Sequence, residues 1–131
     1  MSNVADNFKG VLFDKDGTLF DFNATWGVWA SRMIAAEAGG DPGLTAALAG
    51  ALGYDLHGQR FMPGSIVIAA TVGEVATRIC EVLPELERES LIVRMNTAGT
   101  AVGQVQAVPL KPYFQGLRDL GLKLGIATND A

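Results

Sequence analysis

The decapeptide VLFDKDGTLF, residues 11–20, sets two carboxylates, Asp14 and Asp16, two positions apart behind an apolar run and directly before a glycine. Like charges this close repel one another and resist desolvation, so the pattern implies a positive partner. Two partners fit, a bound cation or a transferring phosphoryl group. A calcium loop of the EF-hand type needs Gly at its sixth position and Glu at its twelfth. Counted from Asp14, those positions hold Leu19 and Thr25, which excludes that site. A phosphate-cradling P-loop is excluded as well, because no Gly-Lys-Ser/Thr follows at the required spacing. An ordinary solvated Asp-Gly turn is the bland alternative.

The apolar run predicts a strand over residues 10–14, buried on both faces and ending in a tight turn. Such a turn carries Asp14 to the carboxyl edge of an α/β sheet, where open sheets bind ligands. Gly17 permits the sharp bend, Thr18 can cap freed amides, and Asp16 can share a side with Asp14. Lys15 then points away from both. One carboxylate can attack while the other handles protons, with a metal neutralising the pair.

Beyond this segment the pattern turns helical. In ATWGVWASRMIAAEAGG, Trp26, Trp29, Met33 and Ala36 fall at helical spacing, and Gly39-Gly40 ends the run. One-face spacing of this kind gives Trp26 and Trp29 a packing role. Asp41-Pro42 predicts an N-cap followed by Pro at the first helical position. Residues 53–65 are rich in Gly and polar groups and predict a loop. Thr71 with Glu74 forms a capping box ahead of Val72, Val75, Ile79 and Val82. Pro84 opens a further helix with Leu86, Leu91 or Ile92, Met95, and Ala98 or Val102 inward. KPYFQGLRDLG is a short helix with Phe114, Leu117 and Leu120 on one side and Gly121 as its stop. LKLGIATNDA predicts a second buried strand ending at Thr128, Asn129 and Asp130.

Strand, helical insert, helix and strand imply a parallel α/β core, residues 1–21 and 107–131, holding an α-helical domain, residues 22–106. Two parallel strands cannot bury both faces, so the chain is expected to be the N-terminal part of a longer protein.

Composition bounds the chemistry further. The 131 residues are 49% hydrophobic and 18% charged, a globular balance, and the formal charge of −4 argues against nucleic acid or an anionic membrane as partner. A phosphorylated small molecule stays compatible, because a metal can supply local positive charge. Cys80 stands alone, so no internal disulfide forms, a reducing cytoplasm fits, and a buried, inert thiol is expected. The opening MSNVADNFKG is polar and acidic, unlike a signal peptide, and no apolar run reaches the ~18 residues that span a bilayer.

VLFDKDGTLFD resembles the first signature of the haloacid dehalogenase-like (HAD) hydrolases, an apolar strand followed by D-x-D-G-T. LGIATND resembles the second signature, an apolar strand ending in Thr or Ser. The helical insert is similar to the cap of phosphoglycolate phosphatase-like members, and YDLHGQRFMPGS to a loop within such caps. The resemblance covers essentially the whole chain. It implies a Rossmannoid parallel core, incomplete in this chain, and a magnesium-dependent phosphatase acting on a small phosphorylated metabolite, phosphoglycolate-like or a sugar phosphate. Asp14 would be the nucleophile that forms an aspartyl-phosphate, and Asp16 the acid and base. Mg2+ would sit on the Asp14 carboxylate and the Asp16 carbonyl, and Thr128 with the Asn129 amide would hold the phosphoryl oxygens. A carboxylate at position 16 favours a phosphatase over the family's dehalogenating, phosphonate-cleaving and ion-pump branches, while a phosphomutase keeps both aspartates.

The family's third signature, a lysine, and its fourth, an acidic metal ligand, would lie beyond Ala131. Lys111 and Lys123 cannot take the lysine's role by motif. The missing C-terminal portion is expected from the same gene or a second chain, and the 131 residues alone are expected to be inactive. A non-catalytic fragment or regulatory subunit is the alternative from another class. His57 is expected to be an exposed loop residue, as is Arg60, although Arg60 would reach a second anionic group if its loop faced the core.

Overall fold

A computed structural model describes residues 4–129. The protein is mixed α/β, and its described residues comprise five α-helices, a two-stranded parallel sheet and a short antiparallel hairpin. They group into two compact units. One holds the described residues up to Phe22 together with Gln104–Thr128, and the other holds Asn23–Gly103 with Asn129.

In the first unit, β1 (Gly10–Asp14) pairs in parallel with β4 (Lys123–Ala127), Gly10 opposite Lys123 and Asp14 opposite Ala127. Helix α5 (Leu110–Asp119) packs on this pair. Phe13 meets Tyr113 and Phe114 edge-on, with ring centroids 6.1 and 5.6 Å apart. The strands fall where the apolar runs predict them, but they are not buried on both faces. Leu12 is 71% exposed and Ile126 57%, because one helix and one neighbouring strand cannot cover a two-sided ribbon. Leu120, expected inward, is exposed as well. Gly10 is required for close approach, since a Cβ there would stand 2.9 Å from the Lys123 carbonyl oxygen.

The second unit is a four-helix assembly of α1 (Val28–Ala38), α2 (Pro42–Leu52), α3 (Val72–Val82) and α4 (Arg88–Thr100). A five-residue π-helical stretch, Asn23–Gly27, leads into α1. Helix α1 packs on α2 and α4, and α3 packs between α2 and α4. Ile34, Leu48, Leu52, Ile79 and Leu91 are fully buried at the centre. Trp29 and Met33 join them as their spacing predicts, whereas Ala36 is exposed and Ala30 and Ala38 fill the buried face. Asp41 Oδ1 caps α2 through the Gly43 and Leu44 amides at 2.8 and 3.0 Å, with Pro42 at the first position. The Thr71–Glu74 capping box forms as expected. Cys80 is half-buried, not buried.

Two elements differ from expectation. The helix assigned to Pro84 begins only at Arg88, because the Glu87 side chain accepts from the Glu89 and Ser90 amides and so fixes the N-cap there. Residues 53–65 are not all loop, because β2 (Tyr54–Asp55) and β3 (Arg60–Phe61) form a small antiparallel hairpin. It packs on the Asn23–Gly27 stretch, where Asn23 Oδ1 accepts from the Phe61 amide at 2.9 Å.

Candidate functional site

Asp14 is the last residue of β1, and Asp16 lies in the turn that follows. The turn is built around one carbonyl. Lys15 O accepts from the amides of Thr18, Leu19 and Phe20 at 3.3, 2.9 and 3.2 Å, and Gly17 N donates to Phe20 O at 2.9 Å. Gly17 holds φ at +80°, the left-handed region that only glycine enters freely. The Lys15 carbonyl therefore gathers the freed amides, a task expected of the Thr18 hydroxyl. Leu19, 3% exposed, pins the turn to the unit's interior. A strap from the other end of the unit holds it, with Asp21 N donating to Val105 O at 2.7 Å and Ala107 N to Leu19 O at 2.9 Å.

The Asp14 carboxylate is exposed, and its Oδ1 accepts from the Lys15 amide at 3.0 Å. Asp16 is largely covered, its side chain 15% exposed, with Oδ2 3.8 Å from Lys15 Nζ. Lys15 thus does not point away from the pair as strand alternation predicts. Alternation ends at Asp14, and the turn brings the ammonium back beside Asp16, where it offsets part of the repulsion between the two acids.

Thr128 follows Ala127, the partner of Asp14, so both residues belong to the carboxyl ends of neighbouring parallel strands. Asn129 is grouped with the helical unit, and its side-chain Nδ2 donates to Ala69 O at 3.0 Å.

An oxygen-only donor set built on an exposed carboxylate suits magnesium, which keeps several waters and takes one or two carboxylates. Asp14, with the Asp16 carbonyl as its companion, fits that chemistry. Among the described residues no three acidic, His or Cys side chains come together as a ready-made metal cluster.

His57 and Arg60 are exposed on the β2–β3 hairpin, as expected. Their loop is organised by Asp55, whose Oδ1 accepts from the amides of His57 and Gly58 at 3.0 and 3.1 Å. The Gly58 amide first, then that of His57 and the charges of Arg60 and His57, hold the Asp55 carboxyl below its ordinary value, against the opposing effect of burial. Sequence reasoning missed Tyr54, a buried phenol whose hydroxyl donates to Gly27 O at 2.9 Å. Burial pushes its pKa up. It also missed Gln106, whose Oε1 caps α5 through the Leu110 amide at 3.0 Å. Neither partner lies within a local motif, so no sequence signal marked them.

Comparison of the chain with protein-family models, with curated proteins and with solved structures finds no match in any of the three. Among the described residues no helix is long and apolar enough to cross a membrane.

Proposed function

We propose that the protein is a magnesium-dependent phosphatase of small phosphorylated metabolites, with a HAD-like Rossmannoid core and an α-helical cap, acting in the cytoplasm. The observation that carries this reading is the parallel register of β1 and β4, which sets Asp14 beside Ala127 with Thr128 next in line. A nucleophilic carboxylate and a hydroxyl donor on adjacent strand ends are the arrangement that phosphoryl transfer needs, since that reaction is mostly positioning and charge stabilisation.

In the proposed reaction an Asp14 carboxylate oxygen attacks phosphorus and the bond from phosphorus to the leaving oxygen breaks, while Asp16 gives that oxygen its proton. Asp16, now ionised, takes a proton from water. The water oxygen attacks phosphorus, the acyl-phosphate bond at Asp14 breaks, and inorganic phosphate leaves. The Thr128 hydroxyl and the Asn129 amide hold the non-bridging oxygens. Asp14 and the Asp16 carbonyl would hold magnesium, which would supply positive charge against the repulsion between an anionic nucleophile and an anionic substrate. Lys15 Nζ lies 3.8 Å from Asp16 Oδ2 and adds positive charge beside the two acids.

The test is hydrolysis of an aryl phosphate by the protein as its gene encodes it, with and without magnesium. Turnover should require the metal, and Asp14→Asn should abolish it. Asp16→Asn should slow it by about 10²–10⁴-fold and let an acid-stable phosphoenzyme accumulate. Full activity in Asp14→Asn would rule out the nucleophile and the mechanism with it.

A further inference from the structure

Gln106 serves two parts of the first unit at once. Its backbone pairs with Phe20 in the strap that holds the turn after β1, between the Asp21–Val105 and Ala107–Leu19 bonds of 2.7 and 2.9 Å. Phe20 is itself bridged to Asp16, and its carbonyl accepts from Gly17 N, so the strap reaches the acidic turn through one residue. The Gln106 side chain runs forward to α5, where its Oε1 accepts from the Leu110 amide at 3.0 Å.

That cap falls to Gln106 for a local reason. The N-cap position is Pro109, which has no side-chain acceptor, and Pro112 takes a further amide out of the first turn. Leu110 is buried, and an amide left unmatched there is costly. The bond ties residues 106 and 110 together, so the strap and the start of α5 move as one body. Helix α5 then returns to the same acid from its other side, because Tyr113 and Phe114 pack edge-on against Phe13, the residue before Asp14. Gln106 thus closes a ring. Its main chain fixes the turn that follows Asp14, and its side chain fixes the helix packed on the residue that precedes it. The Asp14 carboxylate is exposed, so its aim depends on how the backbone on either side is held.

We propose that Gln106 is a positioning residue for Asp14, acting through the strap and α5 without touching the reacting groups. Its effect on turnover rests on the phosphatase reading, whereas the linkage itself uses only bonds and packing within the first unit.

Two substitutions of similar length test it in the protein as its gene encodes it. Gln106→Met removes the strong acceptor, and Gln106→Glu keeps an acceptor oxygen whose charge suits a helix N-terminus. The first readout needs no activity. The Lys15 amide donates to Asp14 Oδ1, so its NMR resonance reports how that carboxylate is held. Gln106→Met should shift this resonance and speed hydrogen exchange at the Asp21 and Ala107 amides of the strap, and Gln106→Glu should restore both. The second readout is hydrolysis of an aryl phosphate. Misplacing a reacting group by about 1 Å costs on the order of 10²-fold, so a loosened turn should lower kcat about tenfold at unchanged KM in Gln106→Met and less than about twofold in Gln106→Glu. An unmoved Lys15 resonance in Gln106→Met would overturn the inference, leaving Gln106 as a cap of its own helix and nothing more. Equal disturbance by both substitutions would also overturn it, because the acceptor would not be the cause. The expected shifts in a protein whose unsubstituted form hydrolyses no aryl phosphate would uphold the linkage and strike the phosphatase reading alone.

Discussion

At the scale of the residue, the turn after β1 depends on Gly17. Its φ of +80° is costly for a side chain, yet a Cβ there would meet nothing closer than the Phe22 Cβ at 3.8 Å, an ordinary contact. The penalty for substitution is therefore torsional, not steric. Gly17→Ala should cost about 1–2 kcal/mol of stability, and Gly17→Asn less, because Asn tolerates the left-handed region better. Urea unfolding of the two variants checks this. A larger loss for Asn than for Ala would point to crowding instead. The same turn explains why Lys15 escaped sequence reasoning. Period-two alternation holds only while the chain stays extended, and it ceases at Asp14, one residue before the lysine.

At the scale of the element, α3 and α4 each hold a carboxylate bonded into the first turn, Glu74 and Glu87. Glu74 accepts from the Thr71 amide at 2.7 Å and the Thr71 hydroxyl at 2.9 Å. Glu87 accepts from the Ser90 hydroxyl at 2.6 Å and the Ser90 amide at 2.7 Å. These bonds hold both carboxyls below their ordinary value, the Thr71 amide contributing most at Glu74 and the Ser90 hydroxyl most at Glu87. A depressed native pKa gives stability that is complete above the unfolded carboxylate value of about 4.3. That stability is lost as the pH falls through the lower, native one. The thermal midpoint of the helical signal should therefore fall between about pH 5 and pH 3, and Glu74→Gln with Glu87→Gln should make the fall shallower. Thr71→Ala should cost about 1 kcal/mol at neutral pH.

The elements that were legible are those with a local cause. The Asp41 and Thr71 caps, the glycine stop at Gly39 and the Asp-Lys-Asp-Gly-Thr turn each follow from a few adjacent residues. The Tyr54–Phe61 hairpin has strands of only two residues, and its place depends on Asn23 and Gly27, 38 and 27 positions from their partners. The start of α4 was misread because a proline is a visible signal, while the cap that overrides it is a glutamate, an uncommon N-cap. At the candidate site, Asp14 and Asp16 were legible from type and spacing. The Lys15 contact was not, because it is set by how the chain bends after β1 ends.

At the scale of the whole molecule, the two units differ in how far apart in sequence their contacts lie. The helical unit is almost one continuous segment, Asn23–Gly103, whereas β1 and β4 pair residues more than a hundred positions apart. Closing a loop of that length costs about 4 kcal/mol in chain entropy when the intervening chain is unfolded, and less once it has folded. The helices should therefore form first, and the strand pairing last. Native-state hydrogen exchange should find the amides around Ile34, Leu48 and Leu91 slowest, and those of Gly10–Asp14 and Lys123–Ala127 opening at lower free energy. Strand amides as protected as those in the helices would contradict this order.

The strap at the base of the Asp14 turn bears on how such a chain can be rebuilt. The Asp21 amide and the Val105 carbonyl are 2.7 Å apart, and Phe20 pairs with Gln106. The first unit thus releases the chain and receives it back at a doorway already latched by its own backbone. Any module whose termini lie a few ångströms apart can be spliced into that doorway without resetting the Asp14 turn. The host and its insert are then free to diverge as separate cassettes, one retaining the Asp14 turn while the other is exchanged.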